Sequence, residues 1–238
     1  MIAIVAAMKD EVARLGGLSR RSKGMAQVTV TGVGKDKVIA AMETLLHGEP
    51  YPSLVLSLGF AGALSDDLNT GDLILARNLY LVGSDGVLEV DNRYYQLAER
   101  AINENVLPYV RRDTLTVPNI VRTQAEREHL AQTYNAQAVN MEDYWVCSAA
   151  ARAGVPFLSV RAVLDMTHQE LPLWVEEIMW QRERRQGLRI LLSSLARPTR
   201  IPKLLSLARG VKRAQKSLGE FVRSFVAKAI EGGVCSPA

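Results

Sequence analysis

The chain alternates short apolar runs with a stretch of helical spacing, and this alternation predicts its fold. Buried strands are expected over 2–7, 27–31 and 54–60, where apolar or β-branched residues run together or alternate with polar ones. Helical spacing over 36–46 follows the second strand, with Asp36 suited to the start of the helix. Strands that alternate with helices are typical of a sheet covered on both faces. The pattern therefore predicts a three-layer α/β/α fold around a central, largely parallel or mixed sheet.

Periodicity is weaker in the middle of the chain. It predicts further strands over 72–82, 114–118 and 156–163, and surface helices over 93–105 and 122–134. No internal repeat and no low-complexity tract interrupts this order. The strand over 156–163 is expected to complete the sheet.

The C-terminal part of the sequence is predicted to be helical. Helical spacing begins at about Leu171, and a joint marked by two prolines over 197–202 precedes a final helix that runs to about Ile230. We therefore divide the chain into a main α/β domain over 1–196 and a basic, amphipathic helical extension over 197–238.

The charge of the chain is concentrated near its C-terminus. The net charge is +4, but the segment 181–228 holds 13 Lys and Arg against two acids, so it carries +11 and the remainder carries −7. The basic segment lacks interleaved aromatic residues and any recognition motif. These observations argue against a nucleic-acid-binding protein.

Composition excludes several other classes of protein. Cys147 and Cys235 are far apart and without metal-ligand spacing, which supports neither a disulfide framework nor a zinc site. No apolar run approaches the roughly 20 residues that cross a bilayer, and the N-terminus shows no secretory leader pattern. We expect a cytoplasmic protein whose 48% apolar composition supports a large core.

Three glycine-rich segments follow predicted strands, at 32–35, 59–64 and 83–86. Glycine at such a place lets backbone N–H groups approach an anion or a sugar closely, and a following helix adds its positive end. The first two segments match neither a phosphate-binding P-loop nor the dinucleotide fingerprint. Tight turns without a ligand are the alternative for each of them.

Two carboxylates occupy positions that need an explanation. Glu142 starts a helix of small residues, and Asp165 ends an apolar strand, where open α/β sheets build their sites. A carboxylate is costly in a core unless it has solvent or a partner. The alternative is that Asp165 caps a helix and Glu142 is an ordinary acid of a first turn.

The order of short segments along the chain carries a family resemblance. AMKDEV, TGVGK, GFAGAL, NTGDLILA, VNME and VRAVLD follow one another as they do in the nucleoside phosphorylase and nucleosidase superfamily. The chain resembles most the branch that contains methylthioadenosine/S-adenosylhomocysteine nucleosidase, over roughly residues 1 to 170. The resemblance implies that 1–196 is a catalytic domain that cleaves the N-ribosidic bond of an adenosine-type purine nucleoside and releases adenine.

The resemblance also implies roles for single residues. Glu11 matches the acid that activates the attacking water, and Asp165 matches the acid that donates a proton to the purine N7 as the base leaves. Glu142 matches the acid that accepts hydrogen bonds from the ribose hydroxyls, and Met141 matches the residue packed beneath the sugar. The segments around the nucleophile and the base are matched by Gly34, Ala61 and Gly62. No metal or cofactor is implied, apart from inorganic phosphate as a co-substrate if the reaction is phosphorolysis.

Three residues depart from the nucleosidase pattern and leave the substrate open. Asn140 stands where the nucleosidases carry Glu, Asp143 where they carry a small residue, and Leu164 where they carry Ser. The choice between water and phosphate also stays open. Phosphate needs cationic donors, and the sequence offers Lys35 beside a glycine turn, with Arg14 and Arg77 brought there only by folding.

The C-terminal segment 186–221 resembles that of the hopanoid-associated phosphorylase subgroup, which is proposed to remove adenine from adenosylhopane, a lipid-linked nucleoside. Its apolar stripe beside a cationic face predicts a helix that lies on the inner face of the membrane. The alternative is that this stripe packs on the body or on a partner subunit. We expect a homo-oligomer that binds a small nucleoside. A non-catalytic nucleoside-binding module is a further alternative, against which the three acids count.

Overall fold

One mixed sheet of ten strands organises the residues that the computed structural model describes, 1–167 and 201–233. The strands are β1 (Ile2–Ala6), β2 (Ala26–Val30), β3 (Leu54–Ala63), β4 (Leu73–Ala76), β5 (Asn78–Leu81), β6 (Val87–Glu89), β7 (Tyr109–Arg111), β8 (Thr114–Thr116), β9 (Ala138–Asn140) and β10 (Phe157–Asp165). The helices are α1 (Leu18–Arg21), α2 (Lys35–His47), α3 (Asn92–Glu104), α4 (Gln124–Thr133), α5 (Asp143–Arg152) and α6 (Ile201–Glu231).

The long strand β3 is the centre of the sheet. It pairs in parallel with β1 and β10 and in antiparallel fashion with β9, and the main path through the sheet runs β6-β5-β8-β9-β3-β10-β4-β7. Every residue of β1 is buried, because the sheet is covered on both faces. The predicted α/β fold with a mixed central sheet is therefore confirmed.

The helices form the outer layers and have identifiable start signals. α2 packs against α5, and α6 packs against α3 and against β10. Asp91 caps α3 by accepting from two backbone N–H groups, and Thr123 forms a reciprocal capping box with Glu126 at the start of α4. α4 thereby enters the fold in a fixed orientation.

Two predictions about strands were wrong. The single strand expected over 72–82 is two strands, because the chain leaves β10 and β7 at Arg77 and joins β6 and β8 instead. The glycine-rich turn expected within 59–64 is absent, because β3 continues in extended conformation to Ala63. An apolar sequence cannot distinguish one buried strand from two, since each half is equally apolar.

The surface helices predicted over 93–105 and 122–134 are present as α3 and α4, and α3 exposes one face, with Arg93, Gln96 and Arg100, and buries the other. Tyr94, Ala98 and Ile102 of α3 are buried against the sheet and α6. The strands β6, β7 and β9 were not predicted, because three residues are too few to show a period and none of them has the paired β-branched residues of β8. The helix expected from Leu171 lies outside the described residues.

The last helix, α6, is part of the core along its C-terminal half. Seven apolar residues there are at most 3% exposed, namely Ala214, Leu218, Phe221, Val222, Phe225, Val226 and Ala229. Phe221 and Phe225 stack with ring centroids 5.5 Å apart. From Ala214 onward the apolar stripe therefore packs on the body, which is the alternative to membrane contact named above. Among the described residues, no helix is both long and apolar enough to cross a bilayer.

The packing of α6 can be tested by removing one ring. We expect Phe221→Ala to lower the free energy of unfolding by about 3–5 kcal/mol, because a fully buried Phe leaves a cavity when truncated. Urea denaturation measures this loss. Lys212→Ala, at an exposed position of the same helix, is the control and should change stability by less than about 0.5 kcal/mol. Equal effects of the two substitutions would mean that the helix is not docked.

Candidate active site

One pocket at the end of the central strands collects nearly all the predicted site residues. Its wall includes both predicted catalytic acids, the third acid, and neighbouring residues of β3 and the β9–α5 junction, namely Glu11, Ala61, Gly62, Met141, Glu142 and Asp165. Gly34, at the start of α2, reaches the site indirectly, since its backbone N–H donates to Glu142 Oε1 at 3.2 Å. The residues come together because β3 and β10 are parallel and end at the same edge of the sheet.

Glu11 is held in the turn that follows β1. Its carboxylate accepts from the N–H of Met8 through Oε2 and from the N–H of Phe60 through Oε1, each at 2.8 Å. The residue is 4% exposed, and this burial raises the pKa of the carboxyl although Arg161 and the two N–H groups oppose the shift. Glu11 is thus a fixed carboxylate whose basicity exceeds that of a carboxylate in water.

Glu142 lies at the N-cap position of α5 without capping it. Its side chain accepts from Gly34, whereas Asn140 Oδ1 accepts from the N–H groups of Glu142 and Asp143 at 3.1 and 2.8 Å. Burial, and then repulsion from Glu11, raises the pKa of Glu142 to about 7. The alternative role as an ordinary first-turn acid is therefore not what the structure shows. Asn140, a departure from the nucleosidase pattern, binds the start of the helix.

Asp165 is the last residue of β10 and is paired with a buried arginine. Its Oδ2 accepts from the guanidinium of Arg127, and the two side chains are 9% and 1% exposed. Burial raises the pKa of Asp165, while the positive charge of Arg127 acts in the opposite direction. The alternative prediction, that Asp165 caps a helix, would need a helix in the residues that follow Thr167, and these lie outside the described part of the chain.

A second buried ion pair lies behind Glu11. Arg161 on β10 donates to Asp143 Oδ1 at 2.8 Å and to Ser57, and both charged side chains are at most 2% exposed. Asp143 also accepts from Thr114 and Ser159 through Oδ2. The unusual acid at position 143 therefore neutralises a cation that would otherwise face Glu11 and Glu142 alone.

Two glycines of β3 make room for these ion pairs. A Cβ on Gly59 would lie 2.1 Å from Arg161 Nη1 and 2.6 Å from Glu11 Oε1. A Cβ on Gly62 would lie 3.0 Å from Arg127 Nη1 and 3.3 Å from both oxygens of Asp165. The glycine-rich segment was predicted as a turn, and the structure shows that it is a strand whose missing side chains admit charged groups. This is the physical reason for that correction.

The three cations proposed from sequence as phosphate ligands lie elsewhere. Lys35 places Nζ 4.3 Å from the ring centroid of Trp145, and Arg77 pairs with Glu89. Neither they nor Arg14 line the pocket, where Arg127 is the one cation among the described lining residues. Sequence reasoning missed Arg127, because a lone arginine on a polar helix gives no signal of burial.

The rest of the pocket wall is mostly apolar. It is formed by side chains of the loops after β1, β2 and β8, by one residue of β10 and by one residue of α6, including Met8, Val33, Val117, Ile120, Val121, Leu164 and Leu207. Over 1–167 and 201–233, no cluster of three His, Cys, Asp or Glu side chains is arranged to hold a metal ion. The site thus presents three acids inside an apolar wall.

The chain belongs to the phosphorylase superfamily, whose sequence model matches residues 2–196. The superfamily resemblance inferred from the short segments is therefore confirmed. Among characterised proteins, the chain is 26% identical over 211 residues to the 5′-methylthioadenosine/S-adenosylhomocysteine nucleosidase of Staphylococcus aureus strain bovine RF122 / ET3-1, covering 75% of this chain and 92% of that protein.

Solved structures share the fold. Futalosine hydrolase of Helicobacter pylori aligns with a TM-score of 0.72 at 18% identity and covers 95% of this chain and 97% of its own. The 5′-methylthioadenosine/S-adenosylhomocysteine nucleosidase of Neisseria meningitidis, solved with methylthio-immucillin-A, aligns with a TM-score of 0.72 at 15% identity and covers 96% and 98%. At these identities the likeness establishes the architecture alone.

The raised pKa of Glu142 predicts a stability cost that depends on pH. Its folded-state pKa of about 7 exceeds the ordinary 4.5, so the protonated side chain stabilises the folded state fully below about pH 4.5. This stabilisation is lost as the pH rises to about 7 and the buried carboxyl group ionises. A neutral glutamine avoids this loss. We expect Glu142→Gln to raise the free energy of unfolding by about 3 kcal/mol at pH 8, at about 1.4 kcal/mol per pH unit, and to change it little at pH 4.5.

Urea denaturation at the two pH values measures this difference. Glu128→Gln, at an exposed position of α4, is the matched control and should show no such pH dependence. Destabilisation by Glu142→Gln at both pH values would contradict the prediction.

Proposed function

We propose that this protein hydrolyses the N-ribosidic bond of an adenosine-type purine nucleoside and releases the free base. The observation that carries the proposal is that Glu11, Glu142 and Asp165 line one pocket. The similarity to methylthioadenosine/S-adenosylhomocysteine nucleosidase supports a 5′-substituted adenosine as the substrate.

Asp165 is proposed as the general acid. The purine is a poor leaving group as an anion, so a proton must reach N7 while the ribosyl bond breaks. Burial raises the pKa of Asp165, which helps the carboxyl to hold that proton towards neutral pH. The proton passes from the carboxyl group to N7, and the base leaves as a neutral molecule.

Glu142 and Glu11 are proposed to act on the ribosyl side of the bond. A carboxylate of Glu142 can accept from two neighbouring ribose hydroxyls, and its negative charge stabilises the oxocarbenium-like sugar. Met141, beside it in the pocket wall, packs beneath the ring. Glu11 removes a proton from water as the water oxygen bonds to the anomeric carbon. The products are the free base and the free sugar.

Water is favoured over phosphate by the charges of the pocket. A phosphate dianion needs several cationic or N–H donors. The one lining cation, Arg127, is already paired with Asp165, and Lys35 is placed over Trp145. Inorganic phosphate is accordingly not required as a co-substrate in this proposal.

That the protein is a homo-oligomer stays a prediction. Sedimentation velocity measures the oligomeric state.

The reaction is tested by incubating the protein with 5′-methylthioadenosine and detecting free adenine by chromatography, with and without phosphate. We expect adenine release at the same rate in both, with the free sugar as the second product. Asp165→Asn should lower kcat by about 10²-fold or more, because an amide cannot supply the N7 proton. Asp85→Asn, at an exposed position outside the pocket wall, is the control.

Three outcomes would overturn parts of this proposal. Nucleoside binding without adenine release would favour the non-catalytic binding module. A ribose 1-phosphate product would favour phosphorolysis. Full turnover by Asp165→Asn would remove Asp165 from the reaction.

A lipid-linked nucleoside such as adenosylhopane is a second candidate substrate. Leu164 stands beside the proposed acid, and Leu207 of α6 extends the apolar wall. This wall would accommodate a long apolar substituent on the sugar. The exposed Arg209, Lys212 and Lys216 of α6 would bring the site to an anionic membrane surface, which co-sedimentation with anionic vesicles would reveal.

This candidate predicts a dependence of activity on chain length. In a series of 5′-alkylthioadenosines we expect kcat/KM to rise by roughly fourfold for each methylene that is fully buried, at about 0.8 kcal/mol each. Leu207→Gln should reduce the rise for long chains and spare 5′-methylthioadenosine. Leu205→Gln, which alters a leucine 50% exposed on the same helix, is the control. A flat series would exclude a lipid substituent from this wall.

A further inference from the structure

The guanidinium of Arg127 joins three separate parts of the candidate site. Nη1 donates to the carbonyl oxygen of Ala63 at the end of β3, at 2.9 Å. Nη2 donates to the carbonyl oxygen of Val121, in the loop between β8 and α4, at 3.2 Å, and also to Asp165 Oδ2 on β10. One side chain thus connects a central strand, a loop of the pocket wall and the proposed acid.

The position of this guanidinium does not depend on Asp165 alone. Two carbonyl oxygens hold the planar group, and the capping box of Thr123 and Glu126 fixes the first turn of the helix that carries it. Gly62 lies against the pair, where a Cβ would be 3.0 Å from Nη1. The strand, the loop and the helix therefore provide a prepared place for a buried cation.

The fixed guanidinium of Arg127 determines which oxygen of the Asp165 carboxyl group can carry a proton. The cation beside Oδ2 favours negative charge on that oxygen, so a proton on the carboxyl belongs on Oδ1. Val121, held by the same guanidinium, lies in the pocket wall with Asn119 and Ile120. Arg127 thus fixes both the oxygen that would carry the proton and the position of that oxygen relative to this loop of the pocket wall.

Resting on the function proposed above, we propose that Arg127 is a positioning residue for base release, which directs the proton of Asp165 from Oδ1 to the purine. Arg127 does not itself touch the reacting atoms in this proposal. It acts through Asp165, and its contribution exists only where the leaving group needs a proton.

The leaving group provides the first test. In p-nitrophenyl β-D-ribofuranoside the leaving group departs as a stable nitrophenolate and needs no proton, whereas the purine of a nucleoside does need one. We expect Arg127→Met to lower kcat for 5′-methylthioadenosine by about 10- to 100-fold, the scale for a misplaced catalytic group, and to change hydrolysis of the nitrophenyl riboside less than threefold. Arg100→Met, at an exposed position of α3, should leave both substrates unchanged.

A double-mutant cycle provides the second test. If Arg127 acts only through Asp165, then Arg127→Met should cost no further activity on the purine substrate once Asp165→Asn is present. A merely structural arginine would instead lower both substrates equally and add its loss to that of Asp165→Asn. Such equal and additive losses would overturn the proposal.

The pH profile gives a third readout. Removing the cation takes away a charge that favours the ionised carboxylate, so the high-pH limb of kcat/KM should move to higher pH in Arg127→Met. Glu11 and Glu142, the other acids in the pocket wall, remain in place. Asp66, held by Thr167, and Arg213 of α6, which packs against Gly71, are also unchanged. An unmoved limb would contradict a role through Asp165.

Gly62→Ala keeps the test decisive if Arg127→Met does not fold. This variant retains both charges and crowds both groups, since a Cβ there would lie 3.0 Å from Nη1 and 3.3 Å from both oxygens of Asp165. We expect the same selective loss on the purine substrate, with a melting temperature that shows a folded protein. If Asp165→Asn keeps full activity, the proposed function fails. If Asp165→Asn loses activity while folded Arg127→Met or Gly62→Ala shows no selective loss, only the present inference fails.

Discussion

The structure depends on the cost of burying carboxylates and on the two arginines that offset it. Glu11, Glu142, Asp143 and Asp165 are all buried in the described structure. Arg161 donates to Asp143, and Arg127 donates to Asp165. An isolated buried carboxylate would simply take up a proton. Arg161 lowers the pKa of Asp143 against the effect of burial, while burial leaves Glu11, Glu142 and Asp165 with raised pKa values. The site can therefore hold groups of different protonation within one small volume.

The central strand makes this arrangement geometrically possible. β3 contributes backbone groups to one of the acids and to one of the ion pairs, since the N–H of Phe60 binds Glu11 and the carbonyl of Ala63 binds Arg127. At Gly59 and Gly62 it contributes only empty space. A glycine within a strand weakens it by roughly 0.5–1 kcal/mol, and here that cost is offset by hydrogen bonds between charged groups. The strand is thus both the middle of the core and one wall of the pocket.

The sequence predicted the general features better than the local ones. Long apolar strands such as β1 and β10 were predictable because both faces are buried, which leaves an unbroken apolar run. The acids of the pocket were predictable from the order of short segments, since several matches in sequence support one another. Arg127 and Arg161 were not predictable, because burial of an arginine depends on partners that are distant in sequence. The same is true of the three-residue strand β9, whose pairing partners are β3 and β8.

The docking of α6 on β10 also orders events during synthesis. β10 carries Asp165, yet the helix that covers it and supplies Leu207 to the pocket ends at Glu231. Domains fold from the N-terminus as the chain emerges, so the ribosome still holds this helix when β10 leaves the exit tunnel. The face of β10 that contacts this helix is then still without that partner. Leu207 therefore joins the pocket wall only after this helix has emerged, later than Asp165.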